Sequence, residues 1–294
     1  MTDVTLIGAG VLGAAMGRRL LEEGYAVTVW NRTPQKAQAL AERGAVVVES
    51  VREAVESSPV ILVCVVDHPR TLELLRPAEV QRALAGRVVL QTSSSVSDQA
   101  RELEAFTKAA GAELVEAPIS HRPEEIGTET GFICACGSAA AYARVEAILK
   151  TLTQNLVHVG EEIGQASALF GVVIALNLGG LICMAHGLGL AHAEGIPLAK
   201  ASQVLMHSKD LLMAKIPLEL QVLAEGGSEP SETSVDIWRE PVRHILEYVE
   251  KRGFNSDLWS FLEKTLKAGS EAGLGDRDVA AVGEMIGRGS LGES

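Results

Sequence analysis

Short apolar runs alternate with helical stretches through the first half of the chain. Strands are expected at Val4–Ile7, Ala26–Trp30, Ala45–Val48, Val60–Val66, Val88–Gln91, Glu113–Ala117, Gly131–Cys136 and Leu156–Val159. Helices are expected between them at Gly10–Glu23, Gln35–Glu42, Val51–Ser57, Thr71–Leu75, Ser97–Ala110 and Ala139–Leu152. This alternation predicts a mostly parallel sheet with helices on both faces. No helix separates the strands on either side of Thr130, so an antiparallel edge is expected there.

After Gly160 the strand signal stops. Helical stretches follow at Gly164–Glu194, Leu198–Ala224, Ser234–Lys251, Asp257–Ala272 and Arg277–Ile286. Gly195-Ile196-Pro197, the stretch from Glu225 to Pro230, and Gly253 punctuate them. The expected organisation is an α/β domain over residues 1–160 and an all-α domain over 161–294, entered by one long interdomain helix. Between Ala166 and Ala185 only Ser167 and Asn177 are clearly polar, long enough to span a bilayer. The stretch lacks flanking basic anchors, so a buried helix is the favoured reading. At about 45 Å such a helix is too long for one small domain to bury. Packing against a second copy, in an intertwined homodimer, is therefore expected.

The first strand runs into Gly8, Gly10 and Gly13 and then directly into a helix, with a second strand after it. A dinucleotide site needs this order: one glycine for the tight turn, one for backbone approach to the pyrophosphate, one for close helix–strand packing. The helix N-terminus, Val11 and Leu12 included, turns its unpaired N–H groups to the phosphates. The second strand ends in Asn31-Arg32-Thr33, with Lys36 one turn on and no carboxylate. An acidic residue there would hold a ribose hydroxyl, whereas Arg32 offers a planar fork for a 2′-phosphate. The expected cofactor is NADP(H).

Composition narrows the class. The 294 residues carry a net charge of −12, which argues against a nucleic-acid binder. Met1-Thr2-Asp3 leads straight into the first strand without a signal-peptide pattern, so a cytoplasmic location is expected. Cys64, Cys134, Cys136 and Cys183 show no metal spacing; no metal is expected, and buried reduced thiols are the default. Cys134 and Cys136 alternate in a strand and share a face.

The chain resembles the imine reductases and their relatives, the β-hydroxyacid and 6-phosphogluconate dehydrogenases. The resemblance rests on Val29-Trp30-Asn31-Arg32-Thr33, on Cys64-Val65-Val66-Asp67 and Ser93-Ser94 at the next strand ends, and on Pro123, Ile126, Gly127 and Thr128. Gly273, Gly275, Asp276 and Asp278 complete it near the C-terminus. Glu116-Ala117-Pro118-Ile119-Ser120-His121-Arg122 keeps features of the dehydrogenase branch. The resemblance implies a Rossmann domain with Cys64, Val65, Val66, Ser93 and Ser94 beside the nicotinamide. It also implies that the catalytic acid position, a Lys in the dehydrogenases and an Asp or Tyr in most imine reductases, falls at Phe170. The companion Asn position falls at Ile174, with Asn177 nearby.

That substitution bears on the reaction. Hydride transfer to a ketone creates an alkoxide that requires a donor. An iminium becomes a neutral amine with the hydride alone, and a cation is stabilised by an aromatic face by about 0.5–2 kcal/mol. Should a donor act, His121 and Tyr248 (beside His244) are candidates, with His186 better read as a core residue. Ser94, Ser120, His121, Arg122, Phe170, Ile174, Met206 and Trp238 are the expected substrate-side residues, with Trp259 and Met213 as further apolar walls. Ser120 and Arg122 are suited to a substrate carboxylate. The reading is an NADPH-dependent reductase of a small, cyclic imine or iminium. A carbonyl reductase with a relocated donor, or a dinucleotide-binding protein without redox turnover, stands as the alternative.

Overall fold

The computed structural model describes residues 2–224 and 230–287. The first half builds β1 (Val4–Ile7), α1 (Val11–Glu22), β2 (Val27–Trp30), a 3₁₀ turn at Pro34–Ala37, α2 (Gln38–Ala41), β3 (Val46–Val47), α3 (Val51–Ser57) and β4 (Val60–Val63). Next come α4 (His68–Leu75), α5 (Ala78–Leu84), β5 (Val88–Gln91), α6 (Ser97–Ala109), β6 (Glu113–Glu116), β7 (Phe132–Cys136), α7 (Ala139–Leu152) and β8 (Asn155–Gly160). The sheet order is β3-β2-β1-β4-β5-β6-β7-β8. Strands β1 to β6 pair in parallel. Strand β7 meets β6 antiparallel, and β8 pairs in parallel with β7. The expected antiparallel edge is present and is two strands wide.

Side-chain alternation explains the two helix layers. Val4, Leu6, Val29, Leu62 and Leu90 pack with Met16 and Leu20 of α1 and with Val145 and Leu149 of α7. Ile61, Val63 and Val89 face the other way, onto Val55, Leu72, Leu84 and Leu103. Strands buried on both faces read as continuous apolar runs, as these do. Helix α5 was not anticipated; Pro77 opens a short segment whose apolar positions, Val80, Ala83 and Leu84, are few.

The second half contains α8 (Gln165–Ile174), a π-helical turn (Ala175–Gly179), α9 (Gly180–Ala193), α10 (Leu198–Ala224), α11 (Val235–Arg252), α12 (Asp257–Gly269), a second π turn (Ser270–Leu274), a 3₁₀ turn (Val279–Ala281) and α13 (Val282–Gly287). The interruption expected from Glu225 to Pro230 lies outside the described residues up to position 229. The chain forms two compact units, Met1–Asn177 and Leu178–Ser294. The division between these compact units falls inside the long helix. Ile163 and Ala166 join the core of the first unit, which draws α8 into it.

Gln165–Ala193 is 29 residues of mean hydropathy 2.2, long and apolar enough to cross a membrane, yet its most apolar window is not buried within one chain. The helix was expected to be too long for one small domain to bury, and within one chain that window is not buried. Nor are all four cysteines buried: Cys134 and Cys136 are, Cys64 is half-buried and Cys183 is exposed.

Candidate active site

The first unit carries a groove of about 480 Å³ where the strand order reverses, at the carboxyl ends of β1 and β4. Ten of the residues expected there line it: Gly8, Gly10, Val11, Leu12, Gly13, Asn31, Arg32, Cys64, Val65 and Val66. The three glycines divide the labour as expected. Gly8 has φ +105°, and a Cβ on it would meet the Cys64 carbonyl oxygen at 2.1 Å. A Cβ on Gly13 would stand 2.0 Å from the Gly8 carbonyl oxygen. A Cβ on Gly10 would meet nothing within 4 Å, so backbone and ligand can approach closely there. No side chain caps the start of α1, which leaves its first N–H groups free for an anion.

At the end of β2 the roles separate. Asn31 Oδ1 accepts from the Ala9 N–H at 2.8 Å, and its Nδ2 donates to the Thr33 carbonyl at 2.8 Å. Asn31 therefore ties the glycine loop to the strand end. Arg32 lines the groove, is exposed, and forms no ion pair among the described residues. Thr33 and Lys36 are exposed and lie off the groove lining. Trp30, Arg70 and Leu74 line the groove although sequence reasoning passed over them. Arg70 and Leu74 sit on α4, whose start the sequence pattern placed three residues late.

The nicotinamide-side residues are held from below. Ser93 Oγ donates to the Val65 carbonyl at 2.7 Å and accepts from the Val65 N–H at 3.2 Å, so Ser93 braces the loop after β4. Ser94 is exposed at the end of β5. Burial pushes the Cys64 thiol up to about 11, despite its hydrogen bond with Thr92, which keeps it a neutral wall.

Phe170 and Ser120 come together in a small cavity with Pro118, Phe132, Cys134, Ala166 and Val173. It carries no carboxylate, amine or imidazole, and burial raises the Cys134 thiol. Ile174 and Asn177 do not line it. Asn177 lies in the π turn, and its Nδ2 donates back to the Val173 carbonyl at 3.0 Å.

Two loop candidates already have partners within this chain. His121 Nε2 accepts from the Phe132 N–H, its ring lies against Gly131, and its Nδ1 is buried without a partner. Burial lowers its pKa, outweighing the upward pull of the Phe132 carbonyl, 2.8 Å from Nε2, and of the Glu125 charge. A ring that is neutral near pH 7 and committed to the start of β7 is a poor proton donor. Arg122 pairs bidentately with Glu125, at 3.1 and 2.9 Å, so its fork is already filled by a carboxylate of this chain.

The remaining candidates lie in the second unit. Tyr248 donates to Glu194 Oε1 at 2.5 Å, and Arg252 reaches the same oxygen at 3.1 Å. This hydrogen bond, with burial and the Glu194 charge, raises the phenol pKa. His244 pairs with Glu240 at 3.3 Å. Lys215 stands over the Trp238 ring, 5.1 Å from its centroid. Met206 and Met213 are exposed on α10. His186 and Trp259 instead share a separate pocket of about 430 Å³ with Leu190, Val249 and Phe254. Among the described residues no group of His, Cys, Asp and Glu is placed to hold a metal ion.

Fold and groove together define a dinucleotide-binding domain joined to a helical unit. Residues 3–160 match the NAD-binding domain of 6-phosphogluconate dehydrogenase, and the chain belongs to that family. It also belongs with the imine reductases inside it. The imine reductase from Myxococcus stipitatus, solved in complex with NADP+, is 30% identical, with 97% of this chain and 99% of that chain covered and a TM-score of 0.90. The NADPH-dependent reductive aminase of Aspergillus oryzae is 28% identical over 165 residues, 56% of this chain and 55% of that protein. The cytokine-like nuclear factor N-PAC of Drosophila melanogaster is 25% identical over 283 residues, 94% of this chain and 46% of that protein. The chain therefore spans about half the length of these two curated relatives.

Proposed function

We propose that the protein is an NADP(H)-dependent oxidoreductase that reduces the C=N bond of a small, cyclic imine or iminium. The observation that supports this reading is the dinucleotide groove, together with the lining around Phe170, a cavity of only about 10 Å³ that carries no carboxylate, amine or imidazole. The groove suits the cofactor on three counts: the open Gly10, the uncapped start of α1, and the unpaired Arg32 for a 2′-phosphate. When bound, NADPH supplies a hydride. The chain's own part is to brace Val65 through Ser93, to exclude water with Phe132, Phe170 and Val173, and to offer an aromatic face to a cation. A ketone would leave an alkoxide facing Ser120 and Cys134 alone, so an acceptor that is already cationic fits better.

The helical unit takes part as one half of a homodimer. Its support is the long helix, which exposes Val172, Leu181 and Ile182, together with α10, which exposes Leu211 and Leu212. Exposed apolar surface on this scale is ordinarily covered by a partner.

The deciding experiment incubates the protein with NADPH and a panel of cyclic imines and keto acids, following loss of the reduced nicotinamide absorbance. Consumption with imines alone is the expected result. Consumption with keto acids would replace the reading by carbonyl reduction. Tight NADPH binding without turnover on either class would favour a binding protein, a reading that a nuclear-factor relative keeps in view. Phe170→Asp should change the rate or its pH profile with imines, and an unchanged profile would remove Phe170 from the site.

A further inference from the structure

One buried carboxylate has no part in the chemistry above. Glu116, at the end of β6, is fully buried, and so are His68 and Gln91 beside it. The Glu116 carboxylate accepts from the Gly164 N–H at 3.2 Å, from the Ser167 hydroxyl, and from the Cys136 thiol at 3.6 Å. His68 Nε2 lies 3.4 Å from Glu116 Oε1 and has no hydrogen-bond partner. Behind His68, its Nδ1 stands 3.5 Å from Gln91 Nε2, and Gln91 Oε1 accepts from the Thr71 hydroxyl at 3.1 Å.

These partners belong to two helices with different duties. Gly164 and Ser167 form the first turn of α8, and Phe170 follows Ser167 by three residues, on the same helix face. His68 is the first residue of α4, whose Arg70 and Leu74 line the dinucleotide groove. Gly164 has little freedom of its own: its φ is +101°, its carbonyl accepts from Ser97 Oγ at 2.9 Å, and a Cβ would meet Ser97 at 3.0 Å. A carboxylate accepts only, so it dictates where the Gly164 and Ser167 donors point and thereby the rotation of α8. A buried charge is costly unless hydrogen-bonded, and an apolar side chain would fill this site without that cost.

We propose that Glu116 is a positioning residue that couples the dinucleotide groove to the cavity under Phe170. It holds the first turn of α8 directly and meets the first turn of α4 through His68. Occupation of the groove, felt along α4, therefore tightens α8. The coupling rests on the groove taking a dinucleotide but not on the identity of the acceptor.

The test needs no turnover. Hydrogen exchange of the amides of α8 is measured with and without saturating NADPH, alongside the NADPH dissociation constant, for the native protein and Glu116→Gln. The amide of Gln turns a donor toward Gly164 N–H or Ser167 while keeping the side chain's size. In the native protein NADPH should slow exchange in α8 by about tenfold. In Glu116→Gln that slowing should vanish and, by the same reciprocity, the NADPH dissociation constant should rise by up to about tenfold. Equal NADPH-dependent slowing in both proteins, or none in the native protein, overturns the proposal. Should Glu116→Gln fail to fold, Ser167→Ala removes one donor from the same carboxylate and must lose most of the slowing. Failure of every imine to react would overturn the acceptor assignment and leave this coupling standing. Failure to bind NADPH at all would instead remove the reading on which it rests.

Discussion

The two units of this chain solve the burial problem differently. In the first, an eight-stranded sheet is packed on both faces, and its strands and helices bury apolar side chains into two extensive clusters. In the second, the buried cluster consists of Val235, Val242, Leu266, Val282 and Met285. Among the described residues of α9 and α10 none is buried, although both helices are rich in Leu, Ile and Met. The first unit has the features of a self-sufficient domain. The second has the features of one that requires another surface, because exposed apolar area forfeits about 25 cal/mol per Å² that burial would return. The contrast separates a body whose geometry is fixed internally from a helical body whose apolar surface is left exposed among the described residues.

The sharpest way to break the contrast is to charge the helical surface. Leu181→Glu should convert the proposed dimer to monomer in size-exclusion chromatography with light scattering, while NADPH affinity in the first unit stays unchanged. A variant that remains dimeric, or a native protein that is monomeric, would mean the exposed helix has another explanation.

Gly8→Ala strikes the other body. The added Cβ would sit 2.1 Å from the Cys64 carbonyl oxygen at φ +105°. Overpacking plus left-handed backbone strain should cost about 1–3 kcal/mol or more and abolish NADPH binding. Retained NADPH binding by calorimetry would show that the glycine loop is not the cradle. Arg32→Ala should act on affinity alone. Loss of a charge-assisted hydrogen bond to the 2′-phosphate predicts a deficit of about 1.5–3 kcal/mol for NADPH, with NADH binding unaffected. Equal losses for both nucleotides would withdraw Arg32 from the specificity.

The smallest effect is a pH dependence confined to the helical unit. Glu219 meets Asp278 carboxyl to carboxylate; that hydrogen bond, with burial and the Asp278 charge, raises Glu219 from 4.5 to about 7 against the opposing charge of Lys215. Asp278 is the ionised partner. Burial alone would raise it, but hydrogen bonds from Glu219, the Ala280 N–H, Ser231 and Thr233 hold it at about 2. Because Glu219 is raised on folding, its contribution is fully present below pH 4.5 and is lost as pH rises through about 7. Asp278 works in the opposite sense, and its contribution is lost as pH falls from 3.8 through about 2. Glu219→Gln keeps a donor for Asp278 at every pH, so it should flatten the fall in Tm between pH 5 and 8. An equal slope in the variant would show that the pair does not titrate there.

Local pattern carried much of the fold. Val51–Ser57, Val88–Gln91, Ala139–Leu152 and Leu198–Ala224 form over the very residues where their patterns predict them. Apolar periodicity and capping act over a few residues, so a linear reading detects them. Helix α5 escaped because a seven-residue helix offers too few periodic positions. The groove was legible for a related reason: its glycines and Arg32 are contiguous with the elements that place them.

The substrate side was less legible. Ser120 and Phe170 do meet, across 50 positions of sequence. His121 and Arg122 carry suitable chemistry, but the Phe132 backbone and Glu125 already engage them. Glu116 looked like one letter of a motif until four partners from β7, α4 and the start of α8 closed around it.

By itself the sequence determined the alternating sheet-and-helix body, the dinucleotide loop, the basic end of β2 and the apolar character of the long helix. These follow from short-range periodicity and from conformations that only particular residues adopt. Only the tertiary structure decided which polar groups are free to act and which are spent on one another. It also decided that α8 belongs to the first unit and that the most apolar stretch of the long helix is not buried within one chain. Hydrogen-bond satisfaction and burial are properties of positions brought together by folding, and no local spacing records them.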